Sequence, residues 1–189
     1  MVPAIESQNL GQRCRIDTAV FRRRNLRSFE QPQPAVQVED GEISVRYPRM
    51  GVFDWGKTAA RVALNSRIPW TILLRGGARD VAIEASRMDL ASLSIEGGAD
   101  KIELDLPLPS GSVPVRIEGG LNRVHIRRPS GAGIELQVRG GANRIQFDGQ
   151  QFGAIGGDVR LASDTWESDR YRYAVEVSGG ASRLEVNQI

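Results

Sequence analysis

A paired glycine recurs along this chain inside the same short frame. The steps between successive pairs are 21, 22, 21 and 39 residues, and the last step is close to two of the others. A period near 20 residues with two strand-like arms per repeat is typical of a stacked β architecture. The pairs are Gly76-Gly77, Gly97-Gly98, Gly119-Gly120, Gly140-Gly141 and Gly179-Gly180.

Apolar residues flank every pair at the same offsets. They stand four and two positions before the first glycine, and four and six positions after the second. A spacing of two within each arm indicates a strand with one buried and one wet face. The positions before the pairs are Ile72 and Leu74, Leu93 and Ile95, Val115 and Ile117, Leu136 and Val138, Val175 and Val177. Those after them are Val81 and Ile83, Ile102 and Leu104, Val124 and Ile126, Ile145 and Phe147, Leu184 and Val186.

This pattern predicts an all-β fold, a β-solenoid of stacked repeats of about 21 residues. An antiparallel β-sandwich of hairpins is the alternative. Glycine suits the corner between two arms because positive φ is cheap only without a Cβ. One repeat offers about four inward side chains, worth roughly 1.5–3 kcal/mol each. Because that cannot offset the ordering of a whole repeat, we expect stability to come from neighbouring coils.

The residue directly before each pair predicts an outward ladder if the coils stack in register. Exposed ion pairs of this kind contribute only about 0–1 kcal/mol each. We therefore interpret the ladder as a source of solubility and register. Its members, in chain order, are Arg75, Glu96, Glu118, Arg139 and Ser178.

The pattern divides the chain into residues 1–64, with N-terminal strands and partly degenerate repeats, and residues 65–189, with the glycine-pair repeats. Two alternating arms around Asp40-Gly41 predict a hairpin, and further strands are expected at 18–21 and 26–29. Between Gly149 and Arg172 the frame breaks, and Gly156-Gly157 predicts a degenerate coil with a loop carrying Trp166. We expect the last arm to leave an uncovered edge, which can recruit a partner.

Several motifs between residues 65 and 189 resemble those of a known group of bacterial domains. They include Ile68-Pro69-Trp70, Arg75-Gly-Gly-Ala78, Glu96-Gly-Gly-Ala99, Leu106-Pro-Leu-Pro109, Arg128-Pro129 and Arg139-Gly-Gly-Ala-Asn143. With these motifs, the region is similar to the β-repeat domains named "putative adhesins" and to the C-terminal domain of LiaF-type cell-wall-antibiotic response proteins. The resemblance implies a β-solenoid fold, sometimes called a toast-rack, and brings no catalytic residues. No apolar stretch matches the membrane segments of the LiaF-type proteins, which argues against an envelope-sensing role.

The sequence contains few groups suited to catalysis or metal binding. His125 is the only histidine, and its neighbours Val124 and Ile126 are both assigned inward, so it should point outward. Cys14 is the only cysteine, which excludes an internal disulfide and makes a zinc site improbable. We expect no metal and no cofactor. A Cys14/His125 nucleophile and base would need the N-terminal region to fold across the third coil.

An enzyme acting on polysaccharides is a further alternative. Glu103 and Asp105 lie two positions apart on one outward face, where a carboxylate pair of the glycosidase type could stand. Trp55 and Trp166 are predicted to lie in loops that could line a groove. We favour solvated surface for both carboxylates because nothing nearby would desolvate them.

A cluster of arginines marks the N-terminal region. Residues 1–30 contain six arginines against three acids, with aromatic residues interleaved. Such a stretch can contact nucleic acid or an anionic surface. The residues assigned to this possible contact are Arg22, Arg23, Arg24 and Arg27.

We therefore predict a non-catalytic structural or protein-interaction domain. It would present a rigid β surface or self-associate through a terminal β edge. The start of the chain shows no basic segment followed by an apolar run, and no stretch approaches the length of a membrane span. Together with the single cysteine, this favours the bacterial cytoplasm.

Overall fold

The computed structural model describes residues 12–17, 35–39, 42–46 and 62–189, and the described residues form strands, turns and loops. The strands are β1 Gln12–Asp17, β2 Ala35–Glu39, β3 Glu42–Arg46, β4 Pro69–Arg75, β5 Ala78–Glu84, β6 Asp89–Glu96, β7 Ala99–Asp105, β8 Ser112–Glu118, β9 Leu121–Arg128, β10 Gly133–Arg139, β11 Ala142–Phe147, β12 Gln150–Phe152, β13 Val159–Ala162, β14 Arg172–Ser178 and β15 Ala181–Gln188. They form two sheets. Sheet A has nine strands in the order β13-β10-β14-β8-β6-β4-β1-β3-β2, and sheet B has six in the order β12-β11-β15-β9-β7-β5.

Each glycine pair is a corner between the two sheets. The arm before the pair lies in sheet A and the arm after it lies in sheet B. We call these units coil 1 (β4 and β5), coil 2 (β6 and β7), coil 3 (β8 and β9), coil 4 (β10 and β11) and coil 5 (β14 and β15). Strands of adjacent coils pair in parallel and in register in both sheets. The fold is thus all-β, and the alternative of antiparallel hairpins is wrong for the glycine-pair repeats.

The coils do not stack in chain order. Coil 5 lies between coil 3 and coil 4, because β14 pairs with both β8 and β10 while β15 pairs with both β9 and β11. The order in space is therefore 1, 2, 3, 5, 4. The expectation that the last arm forms an uncovered edge is wrong, since the C-terminal coil is covered on both sides.

Short antiparallel strands cover the outer side of coil 4. β13 pairs with β10 in sheet A, and β12 pairs with β11 in sheet B. The region between Gly149 and Arg172 is therefore not the predicted degenerate coil of the stack. Very short edge strands limit edge-to-edge pairing, and β12 and β13 have only three and four residues.

The N-terminal strands extend sheet A beyond coil 1. β1 pairs in parallel with both β4 and β3, and β2 pairs with β3 antiparallel. The two arms predicted on either side of Asp40-Gly41 are thus present, while the turn residues lie outside the described part. The strands expected at 18–21 and 26–29 also lie outside it.

The inward positions predicted from the frame form one continuous core. All but three of the twenty are buried, and the exceptions, Leu74, Val81 and Ile83, are half-buried members of coil 1 that pack against the same core. β5 ends sheet B while sheet A continues past β4, so coil 1 is the less covered end. Trp70 and Tyr173 are the largest fully buried side chains.

The outward ladder forms, but its members follow the order of the coils in space and not their order along the chain. Arg75 donates from Nε to Glu96 Oε2 at 2.7 Å, as the stacking of coils 1 and 2 predicts. The insertion of coil 5 places Ser178 between Glu118 and Arg139. Arg139 instead approaches Glu176 of the neighbouring strand, with Nε 3.2 Å from Oε1.

Candidate functional site

The glycine corners form a column along one side of the stack, held by backbone hydrogen bonds from coil to coil. Gly97 N donates to Glu118 O at 2.8 Å, and Gly119 N donates to Ser178 O at 2.9 Å. In coils 1 to 3 only the first glycine of each pair has positive φ, whereas in coils 4 and 5 both do. Because no side chains fill the corner, the backbones of adjacent coils approach closely there.

A groove of about 740 Å³ runs along this column. Its floor consists of corner glycines and small residues, and the loop at 154–156 closes the coil 4 end through a bridge between Ala142 and Ile155. A row of short polar side chains lines it, and Asn122 Nδ2 donates to Asp100 Oδ1 at 2.8 Å. Ordered by position in the stack, that row is Asp100, Asn122, Ser182 and Asn143.

A column of cations lies next to the groove, on the outer face of sheet B. The residue three positions after each glycine pair is Asp80, Lys101, Arg123, Arg183 or Arg144 in stack order, and these residues are in register. This column was not among the sites expected from the sequence. Its signal was available, because four of the five repeats carry a basic residue at one frame position.

The two carboxylates considered for catalysis each form an ion pair with a different cation. Lys101 Nζ lies 2.8 Å from Glu103 Oε1, and that hydrogen bond, more than any other influence, lowers the pKa of Glu103. Asp105 accepts two hydrogen bonds from the Arg127 guanidinium. A general acid of a glycosidase needs a raised pKa, so this geometry gives no support to that role.

The other sequence candidates fall at separate places. His125 is half-buried on the outer face between buried Val124 and Ile126, as predicted, and its Nε2 lies 3.1 Å from Asn187 Nδ2. Arg172 packs its guanidinium 5.0 Å from the centre of the Trp166 ring. Cys14 lies in β1.

The N-terminal candidates stay predictions. Arg22, Arg23, Arg24, Arg27 and Trp55 lie outside the described residues. Among the residues that are described, there is no group of three or more histidine, cysteine and acidic side chains suited to a metal ion. That part of the chain also contains no helix able to cross a membrane.

The far edge of sheet A presents a second surface. β2 is its last described strand, and residues 35–38 are all exposed. Val36 and Val38 pair with Val45 and Ile43, which are buried, so the apolar row of β3 continues outward into exposed side chains. Val38 is 60% exposed.

The fold and these surfaces define an all-β protein of stacked parallel coils that meet at glycine corners. Residues 24–127 match the family described as the N-terminal domain of toast_rack, DUF2154. Because the match spans more than half of the chain, the protein belongs to this family. The matched region runs from before β2 into β9 and thus includes coils 1 and 2 and nearly all of coil 3.

One solved structure shares the fold. It is the crystal structure of a "putative cell adhesion protein" from Clostridium sporogenes, with a TM-score of 0.64 and 18% sequence identity. The similarity covers 94% of this chain and 88% of that one. The comparison with curated proteins gave no match. At 18% identity, the likeness to this neighbour shows a shared fold.

Proposed function

We propose that this protein is a rigid, non-catalytic interaction domain that self-associates through a terminal β edge, strand β2. We interpret the stack as a β-solenoid in which residues 65–189 form the coils, while strands β1, β2 and β3 extend sheet A. The observation that carries the proposal is the exposed apolar row on β2, which continues the buried row of β3. A second copy of the chain would cover it.

The sequence of β2 is self-complementary in an antiparallel pair centred on Gln37. In that register Val36 lies opposite Val38 of the partner subunit, and Ala35 lies opposite Glu39 of the partner subunit. Residues opposite one another in an antiparallel pair point to the same face, so the valines of both copies meet. The pairing places no two like charges opposite one another, and Gln37 meets the partner's Gln37, where two amides can hydrogen-bond.

The other end of the stack presents no exposed apolar row in its described strands, which supports β2 as the associating edge. β12 and β13 cover coil 4, and their apolar residues Phe152, Val159 and Leu161 are half-buried and pack against the core. β2 carries two exposed valines at the sheet's other limit. A five-residue strand spans only about 17 Å, and interfaces well below about 1,200 Å² are weak. We therefore expect a concentration-dependent dimer.

Analytical ultracentrifugation tests the edge. The sedimentation coefficient should rise with concentration, and Val38→Lys should abolish the rise by placing a charge in the pairing row. The matched control is Leu108→Lys, because Leu108 is 59% exposed and lies in a loop away from β2. A wild-type protein that stays monomeric at every concentration, or equal effects of both substitutions, would refute self-association through β2.

Disulfide trapping tests the register. In a Cys14→Ser background, Gln37→Cys should form a disulfide-linked dimer, because opposed Cα atoms of an antiparallel pair lie about 4.5–5.5 Å apart. Ala35→Cys is the control, since its two copies would be about 13 Å apart along the strands. A dimer trapped by Ala35→Cys but not by Gln37→Cys would contradict the proposed register.

A further inference from the structure

Three arginines stand on consecutive strands of sheet B at one register position. Arg123 of β9 pairs with Arg183 of β15, which pairs with Arg144 of β11. Lys101 of β7 lies next to Arg123 on the other side. Neighbouring strands are about 4.8 Å apart, so this column, which we call the basic ladder, aligns four cations along the stack.

The stability of the fold does not explain why four cations are aligned in one column. Like charges directly opposite one another on adjacent strands repel and are destabilising. Lys101 is neutralised by Glu103, and Arg183 Nε lies 3.9 Å from Glu185 Oε1, at the limit of an ion pair. Within the described part of the chain, the side chains of Arg123 and Arg144 have no hydrogen-bond or ion-pair partner. Two exposed guanidinium groups are thus left available.

The basic ladder adjoins the corner groove. Asn122, Ser182 and Asn143, which directly precede the three arginines in their strands, all line the 740 Å³ groove. Amide and hydroxyl groups both donate and accept hydrogen bonds. The combination is a row of neutral polar side chains beside a row of cations, both running along the stack axis. The three arginines are adjacent because coil 5, which carries Arg183, lies between coils 3 and 4.

The charges on the outer face of sheet B favour binding of an anion at the end of the groove formed by coils 3, 5 and 4. Acidic side chains concentrate on β5 and β7, which carry Asp80, Glu84, Asp100, Glu103 and Asp105. On β9, β15 and β11 the unpaired residues of the ladder are basic, and Glu185 is the only acid of those strands. A linear polyanion would therefore bind across coils 3, 5 and 4.

We propose that the basic ladder and the groove beside it bind a linear anionic polysaccharide. Arginine recognises carboxylate and sulfate groups with paired, charge-assisted hydrogen bonds, and the polar row would contact sugar hydroxyls. A nucleic acid fits less well, because binding of single strands relies on aromatic stacking and none of the described residues that line the groove is aromatic. This ligand class favours a site outside the cytoplasm, against the expectation from the cysteine content. The proposal is independent of pairing through β2.

Isothermal titration calorimetry with polygalacturonate tests the proposal. Replacing Arg123, Arg183 and Arg144 together by Ser should weaken binding by about tenfold or more, since most charge-assisted contacts are lost. The control removes the same charge from three exposed loop positions, Arg67, Arg87 and Arg170. It should retain most of the affinity. Equal binding by the ladder variant and the wild type, or equal losses in both triple variants, would overturn the proposal.

Two further measurements separate the ligand classes and exclude misfolding. Wild-type protein should bind polygalacturonate more tightly than a single-stranded DNA oligomer and should not bind neutral dextran; tighter binding of DNA would overturn the choice of polysaccharide. The ladder variant should unfold at the same or a higher urea concentration, because repulsion is removed. A variant with Lys at the three positions should bind with intermediate affinity, whereas complete loss in that folded variant would contradict a charge-based site.

Discussion

The glycine corners give a sharp prediction because one pair contains both a constrained and an unconstrained position. Gly119 has φ of +133°, and a Cβ added there would lie 2.4 Å from Gly97 O and 2.6 Å from Gly97 C. Its neighbour Gly120 does not have a positive φ, and a Cβ added there would meet nothing within 4 Å. Gly119→Ala and Gly120→Ala therefore make the same chemical change with different structural consequences.

The expected cost of Gly119→Ala has two parts. A non-glycine residue held at a strained φ costs about 1–3 kcal/mol, and forcing backbones apart in a packed region costs typically another 1–3 kcal/mol. We expect a loss of about 2–6 kcal/mol in the free energy of unfolding. Gly120→Ala should change it by less than about 1 kcal/mol and could raise it by reducing the entropy of the unfolded chain.

Urea unfolding followed by far-ultraviolet circular dichroism measures both values on matched samples. The difference between the two variants is the informative quantity, because effects of alanine on the unfolded chain largely cancel. If Gly119→Ala were as stable as Gly120→Ala, the close stacking of the corners of coils 2 and 3 would be refuted.

Three further predictions concern single groups and the C-terminal coil. Lys101→Met should raise the pKa of Glu103 because the hydrogen bond that lowers this pKa is lost, and NMR titration of the carboxyl group measures the change. In the wild type, the stability that this carboxylate contributes is present above its usual pKa and disappears as pH falls through the lowered value. Burial, followed by the charge of Asp89, raises the pKa of Tyr173, whose hydroxyl donates to Pro107 O at 2.7 Å. The free energy of unfolding should therefore fall as pH rises above about 10, where tyrosine in the unfolded chain ionises. Ultraviolet absorbance should show that Tyr173 ionises only with unfolding. Deletion of residues 172–189 removes a coil from the middle of the stack, so we expect loss of the cooperative unfolding transition in calorimetry.

The strand arms were predictable because their cause is local. Alternation at a spacing of two determines which face is buried. The pattern around the glycine pairs gave twenty inward positions, and all but three of them are buried. The arms of the Asp40-Gly41 hairpin were found for the same reason. Gly156-Gly157 misled the interpretation because a glycine pair alone does not make a corner; β13 follows too soon and runs antiparallel.

The order of the coils was not predictable from the repeat. Every coil presents the same apolar frame, so coil 5 could pack equally well on coil 4 or between coils 3 and 4. The choice depends on the connection from β11 to β14, where β12 and β13 occupy the outer edges of coil 4 and leave the inner position for coil 5. The basic ladder was overlooked for a related reason, since Arg123, Arg183 and Arg144 become neighbours only once that order is known.

Disulfide cross-linking within one chain tests the stacking order most directly. Arg116 pairs in register with Glu176, which pairs with Gln137, so Arg116 and Gln137 are two strands apart. Adjacent strands, about 4.8 Å apart, permit a disulfide, whereas about twice that distance does not. In a Cys14→Ser background, Arg116→Cys with Glu176→Cys should oxidise to an internal disulfide, and Arg116→Cys with Gln137→Cys should remain reduced. The opposite result would show that coil 4 packs on coil 3 and would contradict the inserted C-terminal coil.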